Sequence, residues 1–313
     1  MNNQETPALY PEFSHCTLCP RSCGVNRNSG ETGFCNADAG VHIASICIHH
    51  GEEPVISGKN GICNVFFSHC NLQCLYCQNY QISNNQQTGN DELNNIEGAV
   101  QKIISCLDQG CCAVGFVSPT HFLPHAKAII RKLHARGYHP IFVYNSNGYD
   151  SVSELKQLEG LIDIYLPDFK YFSEDNAREW SEAEDYPAMA KKAILEMYRQ
   201  KGATLRMRDE LHAESGLIVR HLVLPGCADE SISILEWLAE HCSPRIHLSL
   251  MSQYAPTTYV RNHRSLGRSL QKEEYQRVVQ AADRLGFTYG WTQEFSSQDH
   301  YLPDFNKDQP FSG

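Results

Sequence analysis

Residues 68–80 read SHCNLQCLYCQNY and place Cys70, Cys74 and Cys77 within eight residues, at the spacing C-x3-C-x2-C. A loop that short can wrap one inorganic centre. Closed iron-sulfur sites take four thiolates, so three would leave one iron of a [4Fe-4S] cube without a protein ligand and open to chemistry. Zinc sites instead show four ligands, commonly as paired C-x-x-C units, which this loop lacks. Just before it, residues 63–68, CNVFFS, form the short apolar run of a buried parallel strand.

Toward the N-terminus lies a second set, Cys16, Cys19, Cys23 and Cys35, spaced C-x2-C-x3-C-x11-C and interleaved with Pro20, Gly24, Gly30 and Gly33. Those residues bend the chain so that sulfurs can converge. Four thiolates make a closed site of the structural kind, holding a segment too small to fold on its own core, and the spacing accommodates zinc or a second [4Fe-4S] cluster. Residues 1–60 are therefore set apart as a cysteine-rich extension and 61–313 as the main domain. His49 and His50 read as surface histidines.

Toward the C-terminus, strand and helix patterns alternate. Strands are expected at 112–117, 140–144, 162–166, 217–224 and 246–251. Helices are expected at 91–109, 124–136, 151–159, 187–200, 231–242 and 272–285, with Pro124 opening the second and Gly110, Gly137 and Gly286 following three of them. Counting 63–68, this is a six-unit strand-helix series, which argues for parallel strands with crossover helices. Such a series builds a doubly wound sheet or a barrel, and no G-x-G-x-x-G follows the first strand to mark a dinucleotide-binding sheet.

Composition sets outer bounds. In 313 residues, 42% hydrophobic content is enough for a core. No run of about 18 apolar residues is present, so no membrane span is expected. The first residues, MNNQETPALYPEF, lack the basic and apolar regions of a secretory signal, so the 14 cysteines fit a reducing cytoplasm with thiols kept for metal. A net charge of −10 and a pI of about 5.8 argue against a general phosphate-binding surface and hence against nucleic acid as partner.

The strand-to-loop cysteine motif resembles that of the radical S-adenosylmethionine (SAM) enzymes. In that family the open iron is chelated by the amino and carboxylate groups of SAM. The resemblance implies that the reduced cluster cleaves SAM to a 5′-deoxyadenosyl radical, which abstracts hydrogen from a substrate. It also implies a partial (βα)6 barrel of TIM type, here with the N-terminal cysteine-rich metal-binding extension, and working residues at the C-terminal strand ends. Tyr76 matches the aromatic position near the adenine. Ser118, Pro119, Thr120 and His121 stand where the family carries Gly-Gly-Glu-Pro for the SAM ammonium. The proline is kept, the glycines and glutamate are not, and backbone carbonyls with Thr120 become the expected acceptors.

Asn145-Ser146-Asn147-Gly148 resembles the Asp-Thr-Asn-Gly segment of the glycyl-radical activating enzymes, with Asn145 removing one negative charge. Leu166-Pro167-Asp168-Phe169-Lys170 resembles their Asp-Leu-Lys motif, in which Lys170 would pair with the SAM carboxylate and Asp168 would orient a neighbour. The segment 220–226, RHLVLPG, resembles one in which a histidine, here His221, faces SAM. The likeness runs from residue 64 to 252, is closest to the pyruvate formate-lyase activating enzyme group, and within it resembles a subgroup of uncharacterised homologues.

The leading expectation is thus an enzyme that binds a [4Fe-4S] cluster and SAM and takes electrons from a donor such as flavodoxin or ferredoxin. Its substrate would be a protein or peptide, for instance a glycine of a glycyl radical enzyme. The runner-up is the same chemistry on a small metabolite or a modified peptide. A non-catalytic metal-binding interaction protein is the alternative of another class.

Overall fold

The apolar run before the cysteine loop forms a strand that is buried along its whole length. The computed structural model describes residues 10–86, 91–295, 303–307 and 309–311. Its strands are β1 (Ile43–His49), β2 (Ile62–Phe67), β3 (Ala113–Val117), β4 (Ile141–Ser146), β5 (Ile164–Pro167), β6 (Arg206–Met207), β7 (Ala213–Leu222), β8 (His247–Met251) and β9 (Gly290–Thr292). Its helices are α1 (Pro54–Ser57), α2 (Tyr80–Ser83), α3 (Ile96–Asp108), α4 (Leu123–Ala135), α5 (Val152–Gln157), α6 (Glu174–Ser181), α7 (Tyr186–Lys201), α8 (Ala228–His241) and α9 (Lys272–Arg284).

The sheet runs β1-β2-β3-β4-β5-β7-β8-β9, with β6 paired to β7 off this path. All six expected strands, β2, β3, β4, β5, β7 and β8, are present and run parallel to one another. Side chains from one face of β2, β3, β4, β5 and β7 gather in one apolar cluster of Ile62, Ala113, Ile141, Val143, Ile164, Leu166, Ala213 and Ile218. Strands that meet face to face across a common interior are curled, and this is the expected partial barrel. The other face carries the crossover helices over the main core. Among the described residues no helix is long and apolar enough to cross a membrane.

The structure departs from the sequence expectation in several places, the unread helix α6 among them. The first expected helix starts at Ile96 rather than at 91, because the Asn95 side chain accepts from Gly98 N–H at 2.7 Å and caps it, while Leu93 pairs with Ile43. An unread strand, β1, lies inside the 1–60 stretch and runs antiparallel to β2 at the sheet edge. A short β9 continues the sheet beyond β8. Finally, the β1–β2 connection enters the barrel: Ile56 of α1, 2% exposed, sits in the interior cluster with strand residues from across the sheet.

A residue so placed has no room to be truncated without leaving a hole. Ile56→Ala is expected to cost about 2–5 kcal/mol, read as a fall in the urea midpoint. A midpoint within error of the unchanged protein would show that the connection lies loosely against the barrel rather than filling it.

Candidate active site

Beyond Phe67 the chain leaves the sheet through His69, whose φ of +66° turns it sharply, and residues 70–79 follow without regular structure. Side-chain amides replace the missing ladder. Asn85 Oδ1 accepts from Cys70 N–H at 3.0 Å, and its Nδ2 donates to Cys70 O and to Phe34 O, both at 2.9 Å. Asn71 Nδ2 donates to Tyr149 O at 2.8 Å and Asn71 Oδ1 accepts from Asn147 at 2.7 Å. Gln73 spans the loop from Leu72 O to Ser83 O.

Each of the three sulfurs has a polar neighbour. Cys70 Sγ accepts from Leu72 N–H at 3.4 Å and from Asn147 Nδ2 at 3.5 Å. Ser181 Oγ donates to Cys74 Sγ at 3.0 Å, and Ser83 Oγ lies 3.2 Å from Cys77 Sγ. Burial, then the neighbouring Cys74, pushes the Cys70 thiol up to about 12, so a bound cation is what would favour its thiolate. Donors aimed at all three sulfurs suit thiolate ligands. Among the described residues no three His, Cys, Asp or Glu side chains are drawn together to hold a single metal ion. Cluster thiolates bind one per iron, at separate corners, and do not require that convergence.

The loop opens onto a cavity of about 820 Å³ at the C-terminal ends of the strands. It is lined by Cys70, Cys74, Tyr76 and Cys77, and also by Ser118, Asn145, Asn147, Asp168 and Lys170. Nine residues singled out from sequence thus meet in one space. Tyr76 is 6% exposed and packs against Tyr171 and Tyr254. Lys170 Nζ donates to Asp168 at 2.6 Å. Burial alone would lower the Lys170 pKa, but the Asp168 carboxylate outweighs it and holds the ammonium charged. Gly148, at φ +84°, lets the 145–148 turn pack on this motif, since a Cβ there would meet Asp168 O at 2.2 Å.

Three expected contacts are not among the cavity's lining. Pro119 is buried at the head of a 3-10 turn over Thr120–Phe122. Thr120 is fully buried and donates to Asp150 at 2.7 Å. His221 donates from Nδ1 to Phe169 O at 2.6 Å and accepts at Nε2 from Ser231 of α8 at 2.8 Å, and burial lowers its pKa to about 4. Successive strand residues point to opposite faces, so it is Arg220 and Leu222 of β7 that line the cavity while His221 faces the helices. His121 likewise turns away, toward the N-terminal cysteines. His49 is buried against Phe311 with ring centroids 4.0 Å apart, whereas His50 is exposed as expected.

The cavity also has a charged floor that motif reading missed. Glu52, on the connection plugging the barrel, accepts from Asn64 at 3.0 Å, from Asn145 at 3.3 Å and from Arg220 Nη1 at 3.0 Å. Arg220 Nε lies 3.7 Å from both Glu53 and Asp168. Burial would lower the Arg220 pKa, yet Glu53, Glu52 and Asp168 together hold it up, whereas burial raises Glu53 against the pull of Arg220. A proline-bounded acidic pair, GEEP, was the only trace of this floor in the sequence.

The N-terminal set also comes together. Cys16, Cys19, Cys23 and Cys35 line one small cavity beside Arg27 and His121, at the base of the ligand loop.

Compared with known proteins, the chain matches no family model. It is 28% identical, over 280 residues, to the uncharacterized protein MJ0674 of Methanocaldococcus jannaschii, covering 87% of this chain and 75% of that protein. Streptococcus suis SuiB bound to S-adenosylmethionine shares the fold at a TM-score of 0.50 and 10% identity, over 76% of this chain and 52% of that one. The FeFe-hydrogenase maturase HydG from Carboxydothermus hydrogenoformans does so at 0.50 and 16%, over 72% and 52%. The chain therefore spans about half the length of these solved chains, and the likeness is one of fold.

The floor has a measurable pH signature. A carboxyl raised above the ordinary glutamate value of 4.5 stabilises the fold below that value and loses the contribution as pH rises through its folded pKa. Glu53→Gln is expected to become progressively more stable than the unchanged protein as pH climbs from about 4.5 to neutrality. Urea midpoints that stay parallel across that range would show that Glu53 is not held as a buried acid.

Proposed function

We propose that this chain is a radical SAM enzyme, and the observation that carries the reading is the three-cysteine loop opening onto the strand-end cavity with a donor at every sulfur. Cys70, Cys74 and Cys77 would hold a [4Fe-4S] cluster, and Tyr76, Ser118, Asn145, Asn147, Asp168 and Lys170 would surround SAM. When bound, these groups supply one-electron reductive cleavage of the SAM sulfonium and, through it, hydrogen-atom abstraction. The electron comes from a donor of the flavodoxin or ferredoxin type.

The chain's own residues do the positioning. Lys170, kept charged by Asp168, presents an ammonium suited to a carboxylate. Tyr76 and its aromatic neighbours offer a flat apolar wall for a base. Ser118 takes φ +46°, in the left-handed region that glycine occupies without strain, and so preserves the turn where the family resemblance expects glycine.

For the substrate, the resemblance of the 145–148 and 166–170 segments to the glycyl-radical activating enzymes supports a glycine of a partner protein. The charged floor of Glu52, Glu53 and Arg220 favours a second reading, a small polar metabolite, because a glycyl loop offers no charge to meet it. A candidate glycyl radical protein that acquires a glycine-centred signal on incubation with reduced enzyme and SAM decides for the first. Metabolites that accelerate 5′-deoxyadenosine release decide for the second.

Two outcomes are expected of anaerobically prepared protein. About four irons per chain should disappear when Cys70, Cys74 and Cys77 are changed to Ala, with 5′-deoxyadenosine formed by the unchanged protein alone. Iron-replete protein that leaves SAM intact under strong reductant would remove the proposal. Lys170→Met should raise the KM for SAM roughly 10- to 100-fold, the worth of one charge-assisted hydrogen bond, whereas an unchanged KM would take Lys170 out of the SAM site.

A further inference from the structure

Arg27 poses a problem of charge. It is 1% exposed, and its oxygen partners are all carbonyls, with Nε and Nη2 on Asp38 O at 3.1 and 2.7 Å and Nη1 on His121 O at 2.6 Å. Phe13 and Phe122 stack on the guanidinium at 4.1 and 5.1 Å. Among the described residues no carboxylate forms an ion pair with it, although a buried charge without a partner is among the costliest features a fold can carry. The remaining neighbour is sulfur: Arg27 Nη1 lies 4.0 Å from Cys16 Sγ.

The four sulfurs are each met by an N–H donor. Besides Arg27 on Cys16, the Arg21 N–H donates to Cys19, the Phe34 N–H to Cys23 at 3.4 Å, and the Ala37 N–H to Cys35. Donation from the residue two positions on, seen at Cys19 and Cys35, recurs at Cys70 with Leu72 and at Cys77 with Asn79. Thiol sulfur accepts hydrogen bonds weakly, and four donors on four sulfurs are the surroundings of thiolates. Gly33 completes the cradle, because a Cβ there would come within 2.7 Å of Cys23 Sγ.

We infer that Cys16, Cys19, Cys23 and Cys35 bind a thiophilic metal as an anionic tetrathiolate centre whose charge is the missing partner of Arg27. An iron-sulfur cluster supplies that chemistry, since its thiolates sit at separate corners and do not converge on a single ion. The centre is also mechanically joined to the ligand loop. Phe34, beside Cys35, accepts from Asn85, and the same Asn85 amide holds both backbone groups of Cys70. Arg21, beside Cys19, donates to Asn71 O at 3.0 Å and to Ser181 O, and Ser181 donates to Cys74 Sγ. Losing the N-terminal metal therefore loosens the site at Cys70 and Cys74.

The full chain carrying Cys70, Cys74 and Cys77 changed to Ala isolates this centre from the one proposed above. Anaerobically prepared, it is expected to retain about four irons and be brown. Adding Cys16→Ala and Cys35→Ala should abolish that retention. In the same background Arg27→Met should weaken metal retention against a competing chelator roughly tenfold or more, while Arg27→Lys, which keeps the charge, restores much of it. With Cys70, Cys74 and Cys77 intact, stripping the N-terminal metal should speed hydrogen exchange at Cys70 and Leu72.

Absence of metal from the three-alanine protein would overturn the inference whatever becomes of SAM cleavage. Metal held equally by Arg27→Met would overturn the charge pairing. Failure of SAM cleavage with the N-terminal metal retained would count against the enzymatic reading alone.

Discussion

The amide of Asn85 is the contact on which this architecture depends. The loop carrying three cysteines in eight residues runs without a helix or a ladder, so its backbone does not pair with itself. Its polar backbone groups still need partners in a buried setting. Asn85 supplies two of them at Cys70 and fastens the result to Phe34 of the N-terminal segment. One side chain thus sets the register between the two cysteine sets. An aspartate, lacking the two Nδ2 hydrogens, could make only one of the three contacts.

A second constraint is the handling of charge inside a low-dielectric barrel. Three carboxylates, Glu52, Glu53 and Asp168, share the interior with Arg220 and Lys170. Five full charges would be hard to sustain there, and burial raises the Glu53 carboxyl above its ordinary range against the pull of Arg220. The cations already have carboxylate partners in the interior, so a charged ligand would have to displace or reorganise an existing pair. Selectivity follows from that requirement, since a neutral competitor would leave those pairs in place but gain nothing from them.

Much of the core was legible in the sequence because it depends on local rules. The cysteine spacing located the loop, and short apolar runs located six parallel strands. What escaped depends on tertiary placement. IASICIH at 43–49 is ordinary strand sequence, but only its antiparallel pairing with β2 makes it part of the sheet. HGEEPVISG at 50–58 reads as a polar surface loop, and its glutamates matter because they are carried inside. His221 was missed by one residue: the pleat assigns faces in alternation, and Arg220 received the cavity. Arg27 carries no motif, and only its burial, with no carboxylate ion-paired to it among the described residues, singles it out.

The antiparallel strand explains why the floor exists at all. An incompletely closed parallel sheet exposes an edge at β2, and covering that edge is a general need of such sheets. A parallel strand there would have required its own crossover helix. β1 instead pairs His49 with Ile62, so it finishes at the end of β2 remote from the cysteine loop. The chain must then turn back into β2 within residues 50–61, and the space available to it is the open base of the barrel. Ile56 fills that base with apolar volume while Glu52 and Glu53 reach upward to Asn64, Arg220 and Ser249. Edge protection, core filling and the polar floor are consequences of one strand direction. Reversing it would cost the barrel its floor before it cost the sheet its stability.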